Sequence, residues 1–169
     1  MATVTRHKIP VRKLDAAAFA PYGQIVSARQ AGGQGVAAGH GAPREEAQLV
    51  LDNGQPRVWI MRLTKIGIAF QRIARHRKVT QCLGALGGKD WLIGVAPPGD
   101  LADSGRPRLD DIVGFRVPGD CLIKLHVATW HAGPHFVHDE VDFVNLELMD
   151  TNETDFHAVE LGVECVYDL

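Results

Sequence analysis

The sequence predicts an all-β domain, either a sandwich or a barrel, with one or two short helices. Short runs of apolar or alternating residues recur along the chain, and turn-forming Gly, Pro, Asn and Asp lie between them. A long stretch with the 3.6-residue periodicity of an amphipathic helix is lacking. Many short strands separated by tight turns are typical of proteins in which sheets bury their faces against each other.

One helix and six strands can be placed along the chain. Asp15 has the side chain of a helix N-cap before Ala16–Phe19, and Pro21 and Gly23 end that helix. Each predicted strand is a short apolar or alternating run. These strands are 58–63, 68–73, 91–95, 111–117, 121–126 and 141–149.

Length and charge limit the possible functions. The chain has 169 residues, which suits a single domain over 1–169. It has 18 Lys and Arg against 20 Asp and Glu, a formal net charge of −2. Because nucleic-acid binding depends on clustered Lys and Arg, we expect no nucleic-acid partner. No apolar run approaches the roughly 20 residues of a membrane span, so we expect no membrane association.

The cysteines and the first residues predict a cytoplasmic protein. Cys82, Cys121 and Cys165 are odd in number, lie far apart and form no Cys-x-x-Cys pair. We therefore expect buried thiols in a reducing compartment and no zinc site built on cysteine. Residues 1–10 have no apolar segment of the kind found in a secretory signal.

The glycine-rich stretch 32–41 has a weak similarity to a nucleotide-binding loop. Phosphate binding of that kind needs a strand before the loop and a helix after it. No clear strand precedes this stretch, and Pro43 follows it in place of a long helix. We expect a mobile surface loop.

Four histidines fall within residues 126–138 and are candidates for the chemistry. His131 and His135 have the spacing of one helix face, but Gly133 and Pro134 lie between them and would break a helix. His126 ends a strand and shares a face with the residue two positions before it, Lys124. That face points either into the protein, where Lys124 would pair with a substrate carboxylate, or into solvent.

Other polar residues have weaker signals. His76 is either a polar partner of Gln81 at a strand entry or a surface residue. His131 is a candidate general acid or base, because imidazole titrates near neutral pH. We interpret His135 and His138 as parts of a solvated loop. The carboxylates with the best positions for orienting a histidine ring are Asp142 and Glu147, on the predicted strand 141–149, unless they are simply exposed.

At these residues the sequence resembles the ureidoglycolate lyase family, also called ureidoglycolate hydrolase. The matching elements follow each other in the family's order and cover most of the chain. They are Phe19 to Gly23, Arg75-His76, Gln81, Trp91 to Ala96, His126 to His131, and Asp142-Phe143. The chain departs from the family at several positions, among them Lys124, where the family commonly has Asn, and Arg77, where it has Pro.

The resemblance implies a cupin-like antiparallel β-barrel, also called a double-stranded β-helix, that forms a homodimer. It implies a lyase of purine and allantoin breakdown that splits ureidoglycolate into glyoxylate and urea. A divalent metal such as nickel is attributed to some members. On this interpretation His76 and His126 form the centre of the site, as metal ligands or as base and acid, and His131 is a further acid. Gln81, Lys124 and Arg75 would bind the small carboxylate substrate.

Two alternatives to the lyase remain at this level. The first is a metal-dependent hydrolase that releases ammonia and carbon dioxide from the ureido group. The second is a non-catalytic cupin that binds a small carboxylate or a sugar, since fold does not determine function.

Overall fold

The fold was analysed in a computed structural model, which describes residues 5–28 and 46–169. The stretch 32–41, predicted as a surface loop, lies outside these residues. The described chain forms eleven strands, two four-residue α-helices and a 3₁₀ turn at Leu109–Asp111. The helices are α1 Ala16–Phe19 and α2 Thr151–Thr154, and the strands are β1 Arg6–Lys13, β2 Gly23–Ser27, β3 Pro56–Thr64, β4 Ala69–Arg75, β5 Gln81–Ala85, β6 Gly88–Ala96, β7 Val113–Gly119, β8 Cys121–Leu125, β9 Trp130–His135, β10 Glu140–Leu148 and β11 His157–Asp168.

The strands form two packed units. Six strands close into a barrel in the order β1-β11-β4-β9-β6-β7, and β1 pairs in parallel with both β11 and β7. The other five form an antiparallel sheet in the order β2-β8-β5-β10-β3. This all-β, cupin-like architecture confirms the predicted fold class.

Buried side chains form two clusters. One cluster lies between the barrel and the five-stranded sheet and is rich in aromatic rings, among them Phe19, Trp91, Phe115 and Phe143. The other is built from barrel residues such as Ile9, Ile73 and Tyr167. Strand β6 serves both, because Trp91, Ile93 and Val95 belong to the first cluster while Leu92 and Ala96 belong to the second.

The predicted helix and strands are present with small shifts at their ends. Asp15 caps α1, and its Oδ1 accepts a hydrogen bond of 2.9 Å from the Ala18 amide. The region predicted as a strand over 121–126 ends at Leu125. The predicted strands do not include β1, β2, β5, β9 and β11.

The described helices, at four residues each, are much too short to cross a bilayer. The three cysteines are buried free thiols, as predicted.

Candidate active site between the two sheets

A cavity of about 320 Å³ lies between the inner face of the five-stranded sheet and the barrel. Three groups of residues line it. Among the described residues, the lining includes no Lys, Arg, Asp or Glu. The sheet contributes Trp59, Met61, Leu63, Gln81, Leu83 and Asn145; the barrel contributes His131, Gly133, Pro134 and His135; connecting segments contribute Ile66, His76, Asn152 and Phe156.

His76 is held in this cavity by the connection between β10 and β11. Its ring is buried, and Nδ1 lies 2.8 Å from the backbone carbonyl oxygen of Asp155. A carbonyl accepts only, so Nδ1 carries the proton and Nε2 keeps its lone pair when the ring is neutral. The Asp155 carboxylate accepts hydrogen bonds from the amides of Arg77 and Lys78, at 2.7 and 2.8 Å. Asp155 therefore fixes both the backbone after His76 and its tautomer.

His131 is the second imidazole of the cavity. Its ring centroid lies 5.1 Å from that of His76, and its Nδ1 donates to the carbonyl oxygen of Thr129 at 3.1 Å. This ring therefore also directs its hydrogen-bonded Nδ1 at the backbone and leaves Nε2 with a lone pair. Burial lowers the pKa of His131 from 6.5 to about 3, and the neighbouring His76 adds to this lowering. The His131 ring is therefore neutral near pH 7.

Gln81 belongs to a hydrogen-bond network centred on Glu147, which is fully buried. Glu147 Oε1 accepts from an Arg57 guanidinium nitrogen at 2.7 Å and from Trp59 Nε1 at 3.1 Å, and Oε2 accepts from Gln81 Nε2 at 3.1 Å. The Arg57 charge balances the Glu147 carboxylate, as a buried anion requires. This network orients Gln81 at the cavity wall, so that its amide carbonyl is the end left for a ligand.

His126 is not brought to this cavity, and the prediction that it meets His76 there is wrong. Its Nδ1 accepts from Lys124 Nζ at 3.0 Å, and its Nε2 donates to the carbonyl oxygen of Ala20 at 3.1 Å. Both ring nitrogens are engaged within the protein, so the ring has no lone pair left for a metal or a substrate proton.

Lys124 lies on the opposite face of the sheet from the cavity. Leu125 pairs with Gln81 and Ile123 with Leu83, and both partners line the cavity. Alternation along β8 then directs Lys124 to the other face, beside Cys82. Lys124 is 4% exposed, and burial lowers the pKa of its amino group. Lys124 therefore does not face a substrate bound in the cavity.

Arg75 also points away from the cavity, although it precedes His76. Its guanidinium packs over the Trp130 ring, 4.4 Å from the ring centroid, and donates to the carbonyl oxygens of Asp100 and Asp103 and to His157 Nδ1. Arg75 is 1% exposed, and its hydrogen bonds are made within the protein. The contacts of Arg75 give it a structural role and not the predicted contact with substrate. Trp130 itself is buried.

Of the remaining candidates, His135 differs from expectation, whereas His138 lies partly exposed in the connection between β9 and β10, and Asp142 is partly exposed, one of the two alternatives left for it. His135 is buried in β9, where its Nδ1 lies 3.0 Å from the Tyr167 hydroxyl, so it is not part of a solvated loop. Burial lowers its pKa to about 4. His138 is bonded to Asp90, and Asp142 forms a surface ion pair with Arg62. Backbone carbonyls, and not Asp142 or Glu147, orient His76 and His131.

The donor set does not form a protein-held metal centre. His76, His131 and His135 line the cavity, but within residues 5–28 and 46–169 no group of three or more His, Cys, Asp and Glu could hold an ion. Both Glu147 oxygens are already engaged. A divalent metal stays a prediction from the resemblance, which elemental analysis of the purified protein would test.

Comparisons with known proteins identify the family. One solved structure to which the chain is similar is the capsular polysaccharide assembling protein CapF from Staphylococcus aureus, with 14% identity and a TM-score of 0.42. The match covers 67% of this chain and 34% of CapF, so the chain spans about a third of that protein's length. No curated protein matches the chain. The family model described as ureidoglycolate lyase matches residues 6–166, and the chain therefore belongs to the ureidoglycolate lyase family.

Proposed function

We propose that the protein cleaves ureidoglycolate to glyoxylate and urea in the cavity between the barrel and the sheet. The observation that carries this proposal is the pair of imidazoles, His76 and His131, whose rings are 5.1 Å apart and whose Nδ1 atoms are both bonded to backbone carbonyls. Both rings thus offer a basic Nε2 to a ligand between the sheets. Membership of the ureidoglycolate lyase family supports this substrate.

The reaction needs one proton to move within the substrate. The hydroxyl of the carbinol carbon loses a proton, its oxygen becomes the aldehyde oxygen of glyoxylate, and the carbon–nitrogen bond breaks. The departing nitrogen then takes up a proton and becomes part of urea. A single neutral imidazole can accept the first proton and return it, so the site needs no net proton exchange.

We assign this proton transfer to Nε2 of His76. With a pKa of about 3, His131 is a weak base in the empty cavity. A substrate carboxylate nearby would raise the pKa of His131, since an anion favours the charged ring. Nε2 of His76 accepts the hydroxyl proton and returns it to the leaving nitrogen, while His131 binds the substrate beside it. Gln81, held by Glu147, positions the substrate from the sheet side.

Analysis of the products tests the proposal. Purified protein is mixed with ureidoglycolate, and glyoxylate, urea and ammonia are quantified against a reaction without protein. We expect equal amounts of glyoxylate and urea. Ammonia in place of urea would establish the hydrolase, and binding without any product would establish a non-catalytic carboxylate-binding cupin.

We further propose, from the family resemblance, a homodimer that acts in the cytoplasm. The exposed apolar side chains Val58 and Ile60 on β3, an edge strand of the sheet, support an interface there, because soluble monomers seldom expose such a patch. Free thiols at all three cysteines fit a reducing compartment. The mass in solution, measured by light scattering, tests the dimer.

A further inference from the structure

We propose that the side-chain amide of Asn145 recognises the ureido end of the substrate, so that this one residue selects ureido compounds from other small carboxylates. This inference rests on the proposed function, because it assigns a group of the same substrate to a place in the same cavity. It concerns a residue that the resemblance does not single out.

The first step is that the Asn145 amide is buried without a partner. Asn145 is 2% exposed and lines the cavity. Its Oδ1 is buried and accepts no hydrogen bond, and within the described part of the chain its Nδ2 donates none. An unpaired buried amide reduces stability, so its presence indicates a ligand that completes it.

The second step is that the residues directly paired with Asn145 across the sheet do not complete it. Across the two adjoining strands Asn145 faces Trp59 on β3 and Leu83 on β5. The single N–H donor of the Trp59 ring is committed to Glu147, and Leu83 has no polar atom in its side chain. Glu147, two positions along the same face, is by contrast fully paired.

The third step is chemical complementarity. A primary amide has one acceptor oxygen and a donor nitrogen side by side, and a ureido group has the matching donor and acceptor in one plane. The two can form a pair of hydrogen bonds. Asn145 lies on the sheet wall and His131 on the barrel wall, so this pairing would place the carbinol carbon of the substrate towards the histidines.

Two stable analogues test the proposal without turnover. N-carbamoylglycine is the substrate without its hydroxyl, and N-acetylglycine has the same carboxylate but a methyl group in place of the terminal NH₂. We expect calorimetry on the unmodified protein to show N-carbamoylglycine binding about tenfold more tightly, because its terminal NH₂ adds one hydrogen bond to the otherwise unpaired Asn145 oxygen. Asn145→Leu should bind both analogues with similar affinity.

A matched variant and a stability measurement complete the test. Asn152→Leu makes the same change at an exposed residue of the same cavity and should keep the preference for N-carbamoylglycine. Asn145→Leu should also leave the Tm unchanged or raise it, because it removes an unpaired buried group.

Three results would overturn the assignment: no preference in the unmodified protein, a preference that survives Asn145→Leu, or a preference lost only in Asn152→Leu. If ureidoglycolate is not cleaved but the preference depends on Asn145, the lyase proposal fails and the ureido site stands.

Discussion

Single residues of this protein show what burial does to histidine. Among the described residues His131 and His135 have no carboxylate partner, and burial disfavours the charged ring. Both rings are therefore still uncharged near pH 6.5, where a free histidine is half protonated. Buried neutral histidines make the folded protein sensitive to acid.

The stability of the protein should therefore fall as the pH falls. The pKa of His131 is about 3 and that of His135 about 4 in the folded protein, against about 6.5 in the unfolded chain. Between these values the unfolded chain binds more protons, so the free energy of unfolding decreases below about pH 6.5. Each histidine contributes a slope of up to about 1.4 kcal/mol per pH unit.

The measurement is guanidinium unfolding at pH 7, 6 and 5, because urea is a proposed product. His131→Asn, which keeps a donor towards the Thr129 carbonyl, should flatten the slope. An equal slope in the variant and the unmodified protein would mean that His131 is not held neutral by the fold.

Among the elements, the connection between β10 and β11 has the largest part in building the site. Asp155 follows α2 and binds the segment after β4 through two backbone amides and the His76 ring. The position of the His76 ring therefore depends on Asp155, about 80 positions away in the chain. We expect Asp155 to affect activity through His76 without touching the substrate.

Removing this carboxylate tests the role of the connection. Asp155→Ala should lower the free energy of unfolding by about 1–3 kcal/mol, because two amides lose their acceptor. It should lower kcat more than it raises KM, since the His76 ring loses its fixed position. Asp150→Ala is the control, because the Asp150 carboxylate accepts its side-chain hydrogen bond from the exposed Thr154 hydroxyl and not from a backbone amide. Equal losses of stability and kcat in the two variants would contradict the special role of Asp155.

Strand patterns predict these elements only in part. The alternation over 141–149 predicts β10 correctly. The face that carries Asn145 and Glu147 is buried, although polar residues on a strand usually face solvent. Hydrophobicity cannot reveal this, because their burial depends on partners such as Arg57 and on a cavity formed by distant strands. The strand β9 is missed because Gly133 and Pro134 interrupt its pattern.

For the whole molecule, the face of the five-stranded sheet that a residue occupies decides whether its side chain can reach the cavity. The sequence predicts the fold class, the family and three of the cavity residues, His76, Gln81 and His131. The sequence does not predict that His131, and not His126, lines the cavity, because the turn between them includes Ala128 with φ of 67°. A left-handed alanine is uncommon, and no local residue pattern signals it.

The central claim is that the chemistry occurs between the barrel and the sheet and not on the sheet's outer face with Lys124. The most direct test compares urea release by His76→Asn and His126→Asn, with folding checked by circular dichroism. His76→Asn keeps a donor for the Asp155 carbonyl but has no Nε2. We expect it to lower kcat/KM by at least about 100-fold, while His126→Asn stays within about threefold of the unmodified protein. An equally large loss in His126→Asn, or full activity in His76→Asn, would contradict the account.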